Sequence, residues 1–264
     1  MNGVRAKKRF GQHFLADDRI ARRITEALTH HGGYRLVIEV GPGTGALTRH
    51  LIDRSDIDLR CVEVDAEAAT HMRSTFPTLG ARLVETDFLR VDLGRLVDQA
   101  TGAPNAPFAV IGNFPYNIST EIVFRVLEYK HRCMEVVGMF QKEVADRLRA
   151  GPGSRTYGIT SVLAQAWYDI DPVMTVEPGS FAPPPKVRSA VVRMRRNGVE
   201  RLPCDEALFI RVVKAAFNQR RKTLGNALKA LPELAGRVPA EFAGLRAEQL
   251  SVADLTALAV AAGR

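Results

Sequence analysis

Between Leu36 and Phe140 the sequence alternates short apolar runs with amphipathic stretches, and few folds accept that rhythm. Leu36–Val40, Leu59–Val64, Ala81–Glu85, Phe108–Ile111 and Glu135–Phe140 read as strands. Leu47–Ile52, Ala66–Phe76 and Thr120–Leu127, the last capped by Ser119, read as the helices between them. A strand–helix–strand alternation predicts an α/β fold, a doubly wound and mostly parallel sheet, because parallel neighbours need a long crossover. Two more β-rich runs, Val173–Val176 and Ala190–Met194, follow a helix around Thr160–Trp167 without a clear helix between them, so a closing hairpin is expected. Upstream, Asp17 or Asp18 caps a helix running to about His30, with Ile20, Ile24 and Leu28 on one face.

Past Arg196 the pattern becomes purely helical. Asp205–Asn218, Thr223–Leu231 and Ser251–Ala262 are the segments, and Ser251 with Asp254 makes a capping box for the last. The expected boundary is near Asn197-Gly198, giving a large domain over 1–197 and a small all-helical one over 198–264. The net charge of +8 favours a polyanionic partner. Cys61, Cys133 and Cys204 are odd in number, scattered and free of any C-x-x-C pair, so neither disulfides nor structural zinc are expected. The histidines are dispersed as well, and no metal is expected. No apolar run reaches the roughly 20 residues of a membrane span, and the basic N-terminus lacks the apolar stretch of a signal peptide. A cytoplasmic protein is the expectation, and nothing demands more than a monomer.

The chemistry sits where the strands end. Glu39-Val40-Gly41-Pro42-Gly43-Thr44-Gly45 closes the first strand and opens the first helix, and its glycines let a ligand approach the backbone. Gly41, Gly43 and Ala46 also satisfy the dinucleotide fingerprint, which keeps a nicotinamide oxidoreductase as a rival reading. Pro42 argues against it, since it deletes an N–H that a pyrophosphate would use. S-adenosylmethionine has no phosphate and loses little in such a turn. Glu63 ends the second strand, at the distance where an acid binds ribose hydroxyls. Asp87 ends the third and could accept from an adenine amine, with Phe88 near the ring. Each acid alone could be a helix cap or a solvated strand end; together they predict one crevice.

Phe108–Ile111 then climbs into Gly112-Asn113-Phe114-Pro115-Tyr116. This loop suits attack by a planar, poorly nucleophilic amine. Asn113 offers a side-chain carbonyl. The backbone carbonyl of Phe114 offers a second acceptor, because Pro115 keeps residue 114 extended and has no N–H of its own. Tyr116 offers a stacking face, worth roughly 1–3 kcal/mol per base.

Taken in this order, the glycine turn, Glu63, Asp87 and Asn113-Phe114-Pro115-Tyr116 resemble the class I S-adenosylmethionine-dependent methyltransferases that act on adenine amines. More narrowly, the chain resembles the 16S ribosomal RNA adenine dimethyltransferase family, whose loss gives kasugamycin resistance. Matching stretches run through nearly the whole chain: Lys8-Arg9-Phe10-Gly11-Gln12, Asn117-Ile118-Ser119-Thr120, Gln141-Lys142-Glu143-Val144, Tyr157-Gly158, Phe181-Ala182-Pro183-Pro184-Pro185-Lys186-Val187-Arg188-Ser189 and Asn218-Gln219-Arg220-Arg221-Lys222-Thr223. The resemblance implies that His13 and Leu15 close over the cofactor and that Gly41, Gly43, Glu63, Asp87 and Asn113 line its site. His13 stands where the family commonly has Asn, and Phe114 where Leu is usual.

The resemblance also implies a substrate: two adjacent adenosines near the 3′ end of 16S rRNA, each receiving two methyls, within a nearly assembled small (30S) ribosomal subunit. Phe181, before three prolines, is then expected to hold a flipped adenine against Tyr116, the alternative being a core residue. Lys7 and Arg9 of the basic arm, and Lys186 and Arg188 beside the proline loop, suit phosphates. Arg211, Lys214, Asn218 and Arg221 share one helix face and run into Arg220-Arg221-Lys222, an expected RNA track. Two rivals stay open here. One is a large-subunit rRNA adenine methyltransferase of the macrolide-resistance type; the other is a ribosome-assembly factor that binds RNA without catalysis.

Overall fold

The computed structural model of the chain describes Val4, Lys7 and residues 11–263. In chain order its elements are β1 (Phe14–Leu15), α1 (Asp18–Glu26), β2 (Leu36–Val40), α2 (Thr48–Leu51), β3 (Asp58–Glu63), α3 (Ala66–Thr75), β4 (Leu83–Glu85) and α4 (Leu93–Thr101). There follow β5 (Phe108–Asn113), α5 (Ser119–Glu128), β6 (Cys133–Gln141), α6 (Lys142–Arg149), α7 (Ile159–Gln165), β7 (Tyr168–Val176), β8 (Phe181–Ala182) and β9 (Ser189–Arg196). The helices α8 (Glu206–Asn218), α9 (Leu224–Ala227), α10 (Ala240–Ala243) and α11 (Val252–Ala262) complete it.

Seven strands form one sheet in the order β4-β3-β2-β5-β6-β9-β7. The pairs from β4 through β6 are parallel, and β9 runs antiparallel to β6. From β2 the chain builds outward through β3 and β4, then returns to lay β5 on the other side of β2. That reversal leaves a crevice at the carboxyl ends of β2 and β5, the position where such sheets bind ligands. β2 is buried along its whole length and β5 up to Gly112, as strands covered on both faces must be.

One of the two candidate caps of α1 is selected, and several other local expectations are corrected. Asp17, rather than Asp18, caps α1, accepting from the N–H groups of Arg19 and Ile20. The helix ends at Glu26, and His30 lies in the left-handed region with φ 56°. Ser119 does not cap α5; Ile118 holds that position, and the Ser119 hydroxyl donates back to the Tyr116 carbonyl at 3.4 Å. Helices α4 and α6 have no counterpart in the sequence pattern. Both are short, and α4 carries Gly94 in its second position, which weakens a helical pattern. The small β1–β8 sheet was also unexpected: Phe14 pairs with Ala182 and Leu15 with Phe181, across more than 160 residues of chain.

The chain forms two compact units. One holds the sheet, with the described residues before Asp146 and Asp169–Arg196; the other takes Asp146–Tyr168 together with the described residues from Asn197 onward. In the second unit α8 buries Leu208, Phe209, Val212, Val213, Ala216 and Phe217. Phe209 meets Trp167 edge-on and Phe217 meets Tyr157 in the same way.

One buried carboxylate braces the sheet unit. Glu135 of β6 is 0% exposed and accepts from Thr29 N–H at 2.9 Å, Thr29 Oγ1 at 2.7 Å and Tyr34 OH at 2.5 Å. Every donor counts at a buried polar group. Tyr34→Phe is expected to cost about 1–3 kcal/mol, read from the urea midpoint; an unchanged midpoint would remove the network from the account.

Candidate active site

The turn after β2 spends its own donors. Gly41 N–H bonds to the Val62 carbonyl at 2.9 Å, Gly43 N–H to Glu63 Oε2 at 3.1 Å and Gly45 N–H to the Pro42 carbonyl at 2.8 Å. Pro42 has none to give. The three glycines therefore offer no N–H to a pyrophosphate, which sets the turn apart from a nucleotide-phosphate cradle. Gly41 has φ 64°, and a Cβ placed on it would meet nothing within 4 Å, so its backbone faces open space. At Gly43, φ 57°, a Cβ would come within 2.9 Å of the Phe14 ring.

Beside the turn lies a cavity of about 180 Å³ lined by Gln12, His13, Glu63, Asp87, Asn113 and Tyr116, among others. Glu63 is 3% exposed, and its second oxygen accepts from Asp65 N–H at 2.9 Å. Burial raises its pKa, while the two N–H bonds pull the other way. Asp87 accepts from Leu89 N–H at 2.9 Å. Val64, 48% exposed, and buried Phe88 also line the cavity. Acids for hydroxyls and an amine, apolar walls for a ring and a turn without free glycine donors form a set suited to an adenosine that bears no phosphate.

In the sequence Glu39 is part of the glycine motif and nothing more; the structure gives it more weight. It is buried beneath the turn, where Thr48 Oγ1 donates to it at 2.7 Å. Burial pushes its pKa up to about 7 from an ordinary 4.5, the Thr48 and Cys61 bonds opposing the shift. Below pH 4.5 folded and unfolded chains both hold the proton; as pH rises toward 7 the unfolded chain ionises first, so stability is lost over that window. The loss amounts to about 3 kcal/mol. Glu39→Gln is expected to flatten the pH 4.5–7 slope of unfolding stability, and a slope that survives the substitution would sink the assignment.

Strand β5 delivers Asn113 to the cavity. Its Nδ2 donates to the His13 carbonyl at 2.8 Å, which orients the amide and leaves Oδ1 free to accept. Phe114 is not a site side chain: its ring is buried over Gly112 and Gly138, edge-on to Phe140 at 5.1 Å. Only its backbone is left for the site. Tyr116 is half-buried, its hydroxyl 2.5 Å from Ser189 Oγ, and burial raises its pKa. The His13 ring lies 5.3 Å from that of Tyr116, and its Nδ1 donates to the Pro183 carbonyl at 3.0 Å.

The sequence pattern of ribosomal RNA adenine dimethylases matches residues 3–244. The chain belongs to that family. It is 50% identical over 254 residues to a ribosomal RNA small subunit methyltransferase A of Cytophaga hutchinsonii, covering 96% of both chains. The protein of that name from Flavobacterium johnsoniae is 46% identical over 259 residues, 98% of this chain and 96% of its own. Among solved structures, a dimethyladenosine transferase from Plasmodium falciparum superposes with a TM-score of 0.75 at 21% identity, over 93% of this chain and 96% of that one. The 23S rRNA methyltransferase ErmE superposes at 0.66 with 26% identity, over 94% and 99%. The fold is that of the class I methyltransferases.

Other expected site residues of this adenine dimethylase are placed differently. Phe181 is 4% exposed, opposite Leu15 in the β1–β8 sheet and part of the core with Val176 and Val191, so it does not face Tyr116 across the cavity. Leu15 is likewise core and reaches only a small recess behind Asn113. Lys7 is held by Asp65 and Glu67 instead of standing free for phosphates. Arg9 lies outside the described residues. Lys186 and Arg188 are exposed. In the helical unit Lys214, Arg221 and Lys222 are exposed, whereas Arg211 pairs with Glu233. Arg220 donates to the Ser154 carbonyl and faces Glu248 at 3.5 Å, so it braces the unit. Gln12, Asp65, Ser189 and the Pro183 carbonyl were missed. For Gln12, Pro183 and Ser189 a signal existed, since all three lie inside the matching stretches already marked.

Proposed function

We propose that this chain dimethylates the exocyclic amines of two adjacent adenosines near the 3′ end of 16S rRNA, within the small (30S) subunit late in its biogenesis. S-adenosylmethionine supplies an electrophilic methyl on a sulfonium and leaves as S-adenosylhomocysteine. Glu63 would hold the ribose hydroxyls, Asp87 the adenine amine, and Val64 and Phe88 the faces of the ring. The observation that carries the reading is the fixed amide of Asn113. With its N–H spent on the His13 carbonyl, Oδ1 accepts from the target amine. The Phe114 carbonyl takes the second hydrogen, which frees the nitrogen lone pair from the purine ring. Tyr116, pinned through Ser189, is the stacking surface. Catalysis is then positioning: the nitrogen takes the methyl as the sulfur–carbon bond breaks, becomes positively charged and then loses a proton to solvent, so no strong base is required at the amine.

Relatives near 50% identity carry a small-subunit name, while ErmE, at 26%, carries a large-subunit one; this supports the small subunit as substrate. The exposed bases Lys186, Arg188, Lys214, Arg221 and Lys222 suit its phosphates. Such a substrate places the enzyme in the cytoplasm, and one chain carries every residue named here. Among the described residues no helix is long and apolar enough to cross a membrane. The test is transfer of labelled methyl to small subunits lacking dimethyladenosine, with mature small subunits and large subunits in parallel. Label is expected only on the unmodified small subunits, recovered as dimethyladenosine. Label on large subunits, or none anywhere, would overturn the proposal.

A further inference from the structure

Two residues beyond Glu63, Asp65 begins α3 with a side chain only 3% exposed. Its backbone N–H donates to Glu63, and its Oδ1 accepts from Glu67 N–H at 3.2 Å, capping the helix. The same carboxylate also holds Lys7 and Gln12. Lys7 Nζ lies 2.5 Å from Oδ1 and 2.9 Å from Glu67 Oε2, and Gln12 Nε2 reaches Oδ2 at 3.5 Å. Lys7 N–H in turn donates to Gln12 Oε1 at 2.9 Å, so Lys7 and Gln12 form one unit on Asp65. A little further on, Gly11 has φ 60° and sits so close to Asn117 that a Cβ would come within 2.6 Å of its Oδ1. The next carbonyl but one, that of His13, takes the Asn113 amide. Residues 11–14 therefore cross the cavity from the end of β3 to the loop after β5, and they line it along with Glu63 and Val64.

We propose that Asp65 is a positioning residue for the cofactor pocket, a charged latch that holds the strap of residues 11–14 across the cavity and slows departure of what is bound. The proposal rests on reading the cavity as the S-adenosylmethionine site. A helix cap alone does not need the charge, because asparagine caps as well as aspartate. The ammonium of Lys7 does need it. Asp65→Asn thus keeps the cap and the N–H to Glu63, while it removes the charge that Lys7 pairs with and the Oδ2 that Gln12 reaches, leaving Lys7 only Glu67 as a charged partner. Lys7→Gln removes the other half, and Lys7→Arg restores it.

Affinity and dissociation rate for S-adenosylhomocysteine, together with hydrogen exchange over residues 11–14 in the ligand-free protein, test this. Asp65→Asn and Lys7→Gln are each expected to weaken binding roughly three- to fivefold through faster dissociation and to speed exchange over the strap. The double variant should be no worse than either single one, and Lys7→Arg should behave as the wild type. High salt should bring the wild type toward the variants, since it screens the pair. Unchanged exchange and affinity, or losses that add in the double variant, would overturn the latch. Failure of the wild type to bind S-adenosylhomocysteine at all would instead overturn the cofactor reading, and faster exchange in Asp65→Asn would still support the latch.

Discussion

Asn113→Ala is expected to lower methyl transfer by about 10²-fold or more, while binding to small subunits stays within a few fold. The side chain does two things at once. In the proposed reaction its carbonyl is the acceptor offered to the amine, and one of its two N–H groups donates to the His13 carbonyl. Asn113→Asp separates them. Aspartate is the stronger acceptor, yet it cannot donate to the His13 carbonyl and would face that oxygen with a charge. It is therefore expected to fail almost as badly as alanine. Initial rates of labelled transfer, set beside subunit binding by filtration, check both variants. An active Asn113→Asp would show that acceptance alone matters, and an active Asn113→Ala would remove the residue from the chemistry.

Phe114→Ala is expected to cost about 3–5 kcal/mol of stability, as deletion of a fully buried ring does. The ring fills a space made by two missing side chains. A Cβ on Gly138 would come within 2.4 Å of it and one on Gly112 within 2.7 Å. Gly138→Ala should therefore also destabilise, by about 1–3 kcal/mol through overpacking. Because both changes act on one volume, Phe114→Leu is expected to relieve part of the Gly138→Ala penalty, and the two should fall short of additivity. Urea midpoints of the two single variants and the double measure this. Strict additivity would mean that the ring and the glycines do not share the space. Activity is expected to suffer only as the loop loses its anchor, since the role given to Phe114 is that of its carbonyl.

How much of the site could be read in advance depended on the kind of contact. Gly41, Gly43, Glu63, Asp87 and Asn113 each stand at or just beyond the end of an apolar run, and in a parallel sheet those ends must share one edge. Their gathering around one cavity follows from topology, and the alternation of strands and helices dictates the topology. The buried stripe of α8 is legible for a similar reason, because 3.6 residues per turn decide which side chains share a face.

Partners chosen across long stretches of chain were not legible. The Tyr116 hydroxyl meets Ser189, and His13 meets Pro183, only because β9 and the proline loop return to the cavity. Lys7, Arg211 and Arg220 all read as phosphate ligands. A long cationic side chain goes to whichever carboxylate or carbonyl the fold brings within reach, and here those are Asp65, Glu233 and Ser154. Phe181 was decided by a two-residue strand pairing too short to leave a periodic signal.

By itself, then, the sequence determined the class of sheet, the order of the strand-end residues and the family, since local pattern and spacing carry all three. Tertiary structure alone decided that Tyr116 and not Phe181 lines the cavity, which cations are taken up by acids of the chain itself, and that Lys7 and Gln12 both reach Asp65. Those outcomes turn on a few ångströms between residues far apart in the chain, and no local pattern encodes such distances.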